Sequence, residues 1–198
     1  MIAIVDYKAG NLRSVENALQ RLGAAYQVTS DPEVITGASH VIMPGVGEAS
    51  SAMENLQATG LVPVIRSLRQ PVLGICIGLQ LMCSYSEEGS VPCLGIFDAA
   101  VRRFESAPGV KIPHMGWNTI EGLESPLFRN VPEGSFVYYV HSYRPDIAEG
   151  QTIARTSYSE GVFSAALHRD NFFGTQFHPE KSGDVGLEIL KNFVGLQK

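Results

Sequence analysis

The stretch Val72-Leu-Gly-Ile-Cys-Ile-Gly-Leu-Gln-Leu-Met82 changes character in its middle. Val72 to Ile75 is a short apolar run of the kind that forms a buried strand. Leu79-Gln-Leu-Met82 reads as the opening of a helix. Between them, Gly74-Ile-Cys-Ile-Gly78 has the pattern of a nucleophile elbow, with sulfur in place of a serine oxygen. Such a turn is tight, so small residues must flank the reactive one, which is presented at the strand's end. The following helix points amide groups and its positive dipole end at the sulfur, which favours thiolate. A lone cysteine is more often a small buried hydrophobe, but the two flanking glycines favour the chemical reading. Cys83 and Cys93 lack that context and are read as structural.

Upstream of this stretch, strands and helices alternate. Ile2-Ala-Ile-Val-Asp6 is a buried strand. Asn11 caps a helix whose apolar face is Leu12, Val15, Leu19 and Leu22, ending at Gly23. Tyr26 to Thr29 and His40 to Met43 are further strands, the latter closed by Pro44-Gly-Val-Gly47. A helical stretch from about Glu48 to Arg69 is interrupted near Gly60 and Pro63. This alternation predicts a parallel sheet covered on both faces, with binding groups at the carboxyl ends of its strands. Downstream, β-rich segments lie at Ala100–Arg103, Ser135–Val140, Thr152–Ser157, Val162–His168 and Phe172–Phe177. Hairpin turns are read at Ser159-Glu-Gly161 and Arg169-Asp-Asn171. A last helix runs from about Asp184 to Phe193, with Val185, Ile189 and Phe193 on one face. The expected fold class is α/β: a single domain, residues 1–198, with a mixed, mostly parallel sheet flanked by helices.

Composition narrows the function. The 198 residues are 44% hydrophobic and 18% charged, with a formal net charge of -5. That excludes a largely disordered chain, and without a basic run it disfavours nucleic acid and anionic membranes. The apolar start at Ile2 to Val5 stops at Asp6, too short for a signal peptide, and no run approaches a membrane span. Three cysteines without metal-ligand spacing disfavour a disulfide scaffold and a zinc site, and fit a reducing cytoplasm.

A cysteine nucleophile needs a base and a group to orient that base. Phe177-His-Pro-Glu180 contains both. Pro179 restricts His178 to extended geometry, and the two-residue strand period puts His178 and Glu180 on one side. The imidazole then takes the thiol proton while the carboxylate accepts the other ring N–H. His40, His114, His141 and His168 have no such carboxylate close in sequence. Pro44-Gly-Val-Gly47 leaves a strand at the same sheet edge, where its backbone N–H groups can turn toward a developing oxyanion. A dinucleotide-binding reading of Gly45-Val-Gly47 fails, because position 50 is Ser50.

Together, Gly74-Ile-Cys-Ile-Gly-Leu-Gln80 and His178-Pro-Glu180 resemble the triad (class I) glutamine amidotransferases. Members of that family release ammonia from the glutamine side chain and have a flavodoxin-like α/β fold. Asp6-Tyr-Lys-Ala-Gly-Asn-Leu12, Pro113-His-Met-Gly-Trp-Asn118 and Tyr138-Tyr-Val-His-Ser-Tyr143 are similar to one branch. In that branch the ammonia passes to a (β/α)8-barrel cyclase subunit of histidine biosynthesis, in a heterodimer. The segments lie in the family's order, so the resemblance spans nearly the whole chain.

The resemblance implies Cys76 as nucleophile, His178 as base and then acid, and Glu180 as the orienting carboxylate. It implies an oxyanion strand at Gly45, Val46 and Gly47. Elbow geometry favours the Ile77 N–H as second donor, with the Leu79 N–H as an alternative. Gln80, Glu88, Ser142 and Tyr143 match positions that hold the amino-acid end of L-glutamine. A carboxylate such as Glu88 suits the α-ammonium, and hydroxyl and backbone donors suit the α-carboxylate. Asn11, Trp117, Asn118, Tyr138 and Lys181 are implied at the partner interface and ammonia path. No metal or organic cofactor is implied. The bland alternatives are a solvated loop at Glu87 and Glu88, plain strand positions for the tyrosines, and a core position for Trp117. The rival functions are the glutaminase that feeds pyridoxal phosphate synthase, a cysteine peptidase on the same elbow, and a non-catalytic protein of similar fold.

Overall fold

A computed structural model describes residues 1–8, 12–106, 108–159 and 161–197. The strands are β1 (Ile2–Val5), β2 (Tyr26–Thr29), β3 (His40–Met43), β4 (Val72–Ile75), β5 (Tyr85–Ser86), β6 (Val91–Pro92), β7 (Ala100–Arg103), β8 (His114–Ile120), β9 (Ser135–His141), β10 (Tyr143–Pro145), β11 (Thr152–Tyr158), β12 (Gly161–Arg169) and β13 (Phe172–Thr175). The helices are α1 (Leu12–Arg21), α2 (Pro32–Gly37), α3 (Ala49–Ala58), α4 (Leu61–Ser67), α5 (Ile77–Met82) and α6 (Gly183–Val194).

Seven strands form the main sheet in the order β11-β12-β13-β4-β3-β1-β2. Pairings from β13 through β2 are parallel, and β11 and β12 extend the sheet antiparallel. The sheet is therefore mixed and mostly parallel, as expected. β1 and β4 are buried along their whole lengths, which is why they read as continuous apolar runs. Alternate side chains still sort to opposite faces. Ala3, Val5, Val41, Met43 and Val72 join one core with Ile35, Leu56, Leu61 and Ile65 from α2, α3 and α4. Ile2, Ile4, Ile42, Leu73 and Ile75 join the other with Leu19 of α1 and Ile189, Leu190 and Phe193 of α6. The result is a sheet between two helical layers.

Several elements depart from the sequence reading. The helical stretch after β3 divides at Thr59 and Gly60, where Gly60 takes a left-handed conformation, while Pro63 sits in the first turn of α4. Helix α2 was not expected; Asp31 caps it by accepting from the Glu33 N–H at 2.9 Å. Helix α5 begins at Ile77, two residues before the expected Leu79. Ala100–Arg103 and Ser135–His141 lie outside the main sheet. β7 joins β5, β6 and β10, and β9 pairs with β8, a strand the periodicity does not show. The assigned cap Asn11 lies outside the described residues.

Strand order determines where chemistry gathers. Direction of winding reverses between β1 and β3, and ligands in such sheets bind at the carboxyl ends near that point. Tyr7 follows β1, Pro44–Gly47 follows β3, Cys76 follows β4 and Gln176 to His178 follow β13.

Candidate active site

Cys76 joins β4 to α5 with φ 53° and ψ -107°. A side chain in that region is strained, and such positions persist where the surroundings over-determine them. Here the Cys76 N–H donates to the Thr175 carbonyl at 2.8 Å, and its own carbonyl accepts from Gln80 N at 3.1 Å. That is the first helical bond, so the N–H groups of Ile77, Gly78 and Leu79 lie outside the helical ladder. The flanking glycines are required by close approach. A Cβ on Gly78 would overlap the Met43 carbonyl oxygen, and one on Gly74 would sit 2.7 Å from backbone atoms of Gly78 and Leu79.

His178 and Glu180 meet by a different route from the one expected. Residues Pro179–Lys181 form a 3-10 turn rather than extended chain, and the turn folds Glu180 back beside His178. Pro179, with φ set near the helical value, suits the first position of such a turn. His178 Nδ1 lies 2.8 Å from Glu180 Oε1, with the two side chains 2% and 4% exposed. The backbone at His178 is clamped by β9. Its N–H donates to the Tyr138 carbonyl at 2.9 Å, and its carbonyl accepts from Ser182 Oγ at 2.6 Å. Ser182 Oγ in turn accepts from the Tyr138 N–H at 2.9 Å. His178 Nε2 is buried and meets no nitrogen or oxygen partner among the described residues. Burial alone would lower the basicity of this imidazole. Its interactions with the neighbouring Cys76 sulfur and with Glu180 outweigh burial, and its pKa is pushed up to about 10.

A pocket of about 320 Å³ opens beside the sulfur, lined by Val46, Gly47, Cys76, Ile77, Gln80, Glu88, Pro113, Val140, His141, Ser142 and Tyr143. It thus brings together most of the residues expected to contact substrate or oxyanion. Gly45 is buried just outside it, and Leu79 is fully buried in the core. Glu88 is a pocket wall, not a solvated loop. Its Oε2 accepts from the Ala49 N–H at 2.9 Å, and burial raises its pKa. Glu87 turns outward and pairs with Arg102 at 3.0 Å. Gln80 Nε2 donates to the Tyr143 carbonyl at 3.0 Å and to Gln176 Oε1 at 2.9 Å. Gln176 Nε2 lies 3.7 Å from the Cys76 sulfur. The Tyr7 hydroxyl donates to the Pro44 carbonyl and so anchors the start of the Gly45-Val-Gly47 segment.

Residues 3–196 match the family model described as Glutamine amidotransferase class-I. The chain belongs to this family.

Within the class-I amidotransferases, the chain is 56% identical over 196 residues to a Bacteroides fragilis protein named imidazole glycerol phosphate synthase subunit HisH, covering 98% of this chain and 99% of that one. A relative of the same name from Thermosynechococcus vestitus is 47% identical over 203 residues, covering 100% and 97%. Among solved structures, a glutamine amidotransferase superposes with a TM-score of 0.72 at 22% identity, covering 98% of this chain and 100% of that one. The structure of PurLQS from Thermotoga maritima gives 0.69 at 18%, covering 98% and 96%. These two likenesses establish the fold.

The residues assigned to a partner interface lie on and beside the β8–β9 hairpin. Trp117 is 56% exposed, which rules out a core position, and pairs across the strands with Tyr138. Asn118 is half-buried on β8, and Lys181 is half-buried in the turn that carries Glu180. Asn11 lies outside the described residues. Sequence reasoning missed Tyr7, Gln176, Ser182 and His141. For Gln176 a signal was present, since it precedes His178 by one strand period. For the others no local pattern marks the role.

Proposed function

We propose that this chain is the glutaminase subunit of an imidazole glycerol phosphate synthase. It hydrolyses glutamine to glutamate and ammonia and delivers the ammonia to a (β/α)8-barrel cyclase subunit in histidine biosynthesis. The observation that carries this reading is Cys76 on a strained elbow, electrostatically coupled to a buried His178–Glu180 pair at the edge of a pocket. The names of its relatives and their near-complete overlap support it, as does one family match across residues 3–196, treated as a single domain.

Chemistry follows the geometry. The Cys76 thiol proton passes to His178, whose protonated form the Glu180 carboxylate stabilises. Cys76 Sγ attacks the amide carbon of glutamine, forming the C–S bond. The oxyanion is held by the Ile77 N–H and the Gly45-Val-Gly47 backbone, where each lost donor costs roughly 3 kcal/mol in comparable sites. His178 gives its proton to the departing nitrogen as the C–N bond breaks, leaving a γ-glutamyl thioester. It then takes a proton from water, whose oxygen displaces the sulfur and releases glutamate. Glu180 holds the ring in place throughout. Glu88 faces the α-ammonium, while Ser142, Tyr143 and Gln80 surround the amino-acid end.

Ammonia that meets bulk water becomes ammonium and loses its nucleophilicity, so the site requires a docked partner. Met115, Trp117 and Phe136 are 65%, 56% and 59% exposed and make one face of the β8–β9 hairpin apolar. Exposed apolar patches of this kind mark interaction sites, and the Ser182–Tyr138 clamp ties this face to the histidine. Tyr138 and Lys181 then border the ammonia path, and Asn118 and Asn11 belong to the same interface. A reducing cytoplasm suits three unpaired, buried cysteines.

The test is glutamate release from glutamine, with and without the cyclase subunit and its nucleotide ligand. Strong stimulation by both is expected. No stimulation in a complex shown to form would overturn this partner and pathway, and the barrel of pyridoxal phosphate synthase would be the next to try.

A further inference from the structure

The mechanism above uses neither of two buried histidines that meet across the β8–β9 hairpin. His114 Nδ1 lies 2.9 Å from His141 Nε2, and their residues are 3% and 6% exposed. At one end of this pair, His141 Nδ1 lies 2.7 Å from the Tyr143 carbonyl. At the other, Asn118 Nδ2 lies 3.3 Å from His114 Nε2.

The direction of every bond is determined by the backbone at both ends. A carbonyl only accepts, so His141 Nδ1 carries a proton and donates to Tyr143. Asn118 has its Nδ2 2.9 Å from the Ser157 carbonyl, and its Oδ1 accepts from the Thr119 N–H at 2.8 Å. Its amide therefore presents N–H to His114. With both rings neutral, His114 Nε2 accepts, His114 Nδ1 donates, and His141 Nε2 accepts. The chain closes with no lone pair facing another. An extra proton on either ring would set N–H against N–H.

The Tyr143 carbonyl is the junction. It also accepts from Gln80 Nε2, whose second partner is Gln176 Oε1, and Gln176 Nε2 reaches the Cys76 sulfur. We propose that His141, oriented by His114, is a positioning residue of the glutamine pocket: its Nδ1–H holds the Tyr143 carbonyl where that carbonyl anchors Gln80 and, through Gln176, the Cys76 sulfur. This rests on the glutaminase reading above. Burying two polar rings is unfavourable unless their hydrogen bonds are made, and here all four ring nitrogens are used. Burial pushes His114 to about 4 and His141 to about 3, so both stay neutral and the direction of the chain holds at neutral pH. Asn118, next to Trp117 on β8, points to the opposite face of the hairpin and begins the relay there.

The test compares His141→Leu, which keeps bulk but no donor, with His141→Asn, whose Nδ2 replaces Nδ1. Both are assayed in complex with the cyclase subunit. Expected for His141→Leu is a tenfold or greater loss in kcat/KM for glutamine, with synthesis from added ammonia within twofold of wild type. His141→Asn is expected to recover to within threefold. Equal losses in the two variants, or no loss in either, would overturn the proposal while leaving the glutaminase reading intact. A wild-type complex without glutaminase activity would instead overturn that reading. If His141→Leu fails to fold or dock, imidazole 15N shifts of the wild-type complex decide. Both rings are expected neutral and Nδ1-protonated from pH 5 to 8, and an Nε2–H tautomer on either overturns the relay.

Discussion

Glu180→Gln removes one negative charge and almost no volume. The carboxylate it replaces lies 2.8 Å from His178 Nδ1, with both side chains at most 4% exposed. A hydrogen bond to a charged group contributes about 1.5–3 kcal/mol, which at 1.36 kcal/mol per decade is roughly 10- to 200-fold in rate. A second effect adds to this. A glutamine amide can offer its own N–H to Nδ1 and so favour the wrong tautomer, a change that costs about 10⁴ in serine triads. Glutaminase kcat in the complex is therefore expected to fall at least tenfold, with about 10⁴ as the ceiling. Complex formation and ammonia-dependent synthesis should stay near wild type, because Glu180 is buried away from solvent. The His178 proton supplies an independent readout. Glu180 is one of the charges that raise His178 against burial. Without it the imidazolium is weakened, and imidazole 15N shifts should show His178 losing its ring proton at lower pH than in the wild type. Turnover within threefold of wild type together with an unmoved His178 titration would remove Glu180 from the proposed triad.

Cys76→Ser should abolish glutamine-dependent synthesis and leave synthesis from added ammonia intact; loss of both activities would make Cys76 structural. Gly78→Ala forces a Cβ into the Met43 carbonyl, and overpacking of this kind costs about 1–3 kcal/mol. A melting temperature lower by roughly 2–12 °C is expected for a chain of this size, and an unchanged value would refute the close approach of α5 to β3. The neutral histidines predict an acid limb of stability. A histidine depressed in the fold keeps its full contribution above the unfolded value of 6.5 and loses it as pH falls toward the folded value, about 4 for His114. His178 does not oppose this, since it is protonated both folded and unfolded over that window. The shift of His114 bounds its share at about 3 kcal/mol by linkage. The urea midpoint should therefore fall between pH 6.5 and 4, and His114→Phe should flatten that slope; an equal slope in the variant would refute it. Trp117→Ala should weaken binding of the cyclase subunit about tenfold or more, as aromatic anchors do, without changing the free subunit's melting temperature. Unaltered affinity in a binding titration would place the interface elsewhere.

Much of the fold was legible because its signals are local. β1, β3 and β4 are short apolar runs since both sheet faces are covered, and the elbow glycines mark a close approach that no larger residue permits. Glu88 and Trp117 each came with two readings, and burial separates them: one is a pocket wall and the other an exposed hairpin residue. Strand β8 was invisible because Pro113-His-Met-Gly-Trp-Asn118 has no apolar period of its own. Its conformation comes from pairing with β9, where His114 lies opposite His141 and Trp117 opposite Tyr138. The 3-10 turn was missed because Pro179 is compatible with extended chain before it and helical chain after it.

Least legible was the adjacency on which the chemistry depends. Cys76 and His178 are 102 residues apart in the chain, and no spacing rule links them. They meet because β13 inserts beside β4 in parallel, with Gly174 opposite Gly74 and Thr175 opposite Ile75. Both chains then leave the sheet at the same edge. Gln176 and His178, one strand period apart, turn toward the sulfur, and Phe177 between them is fully buried in the core that holds Ile189 and Phe193. A slip of one residue in this register would aim Phe177 at the sulfur and bury the imidazole among α1 and α6. The local pattern thus supplied the reactive groups, and the β4–β13 register, which the Thr175–Cys76 backbone bond helps to hold, makes a site of them.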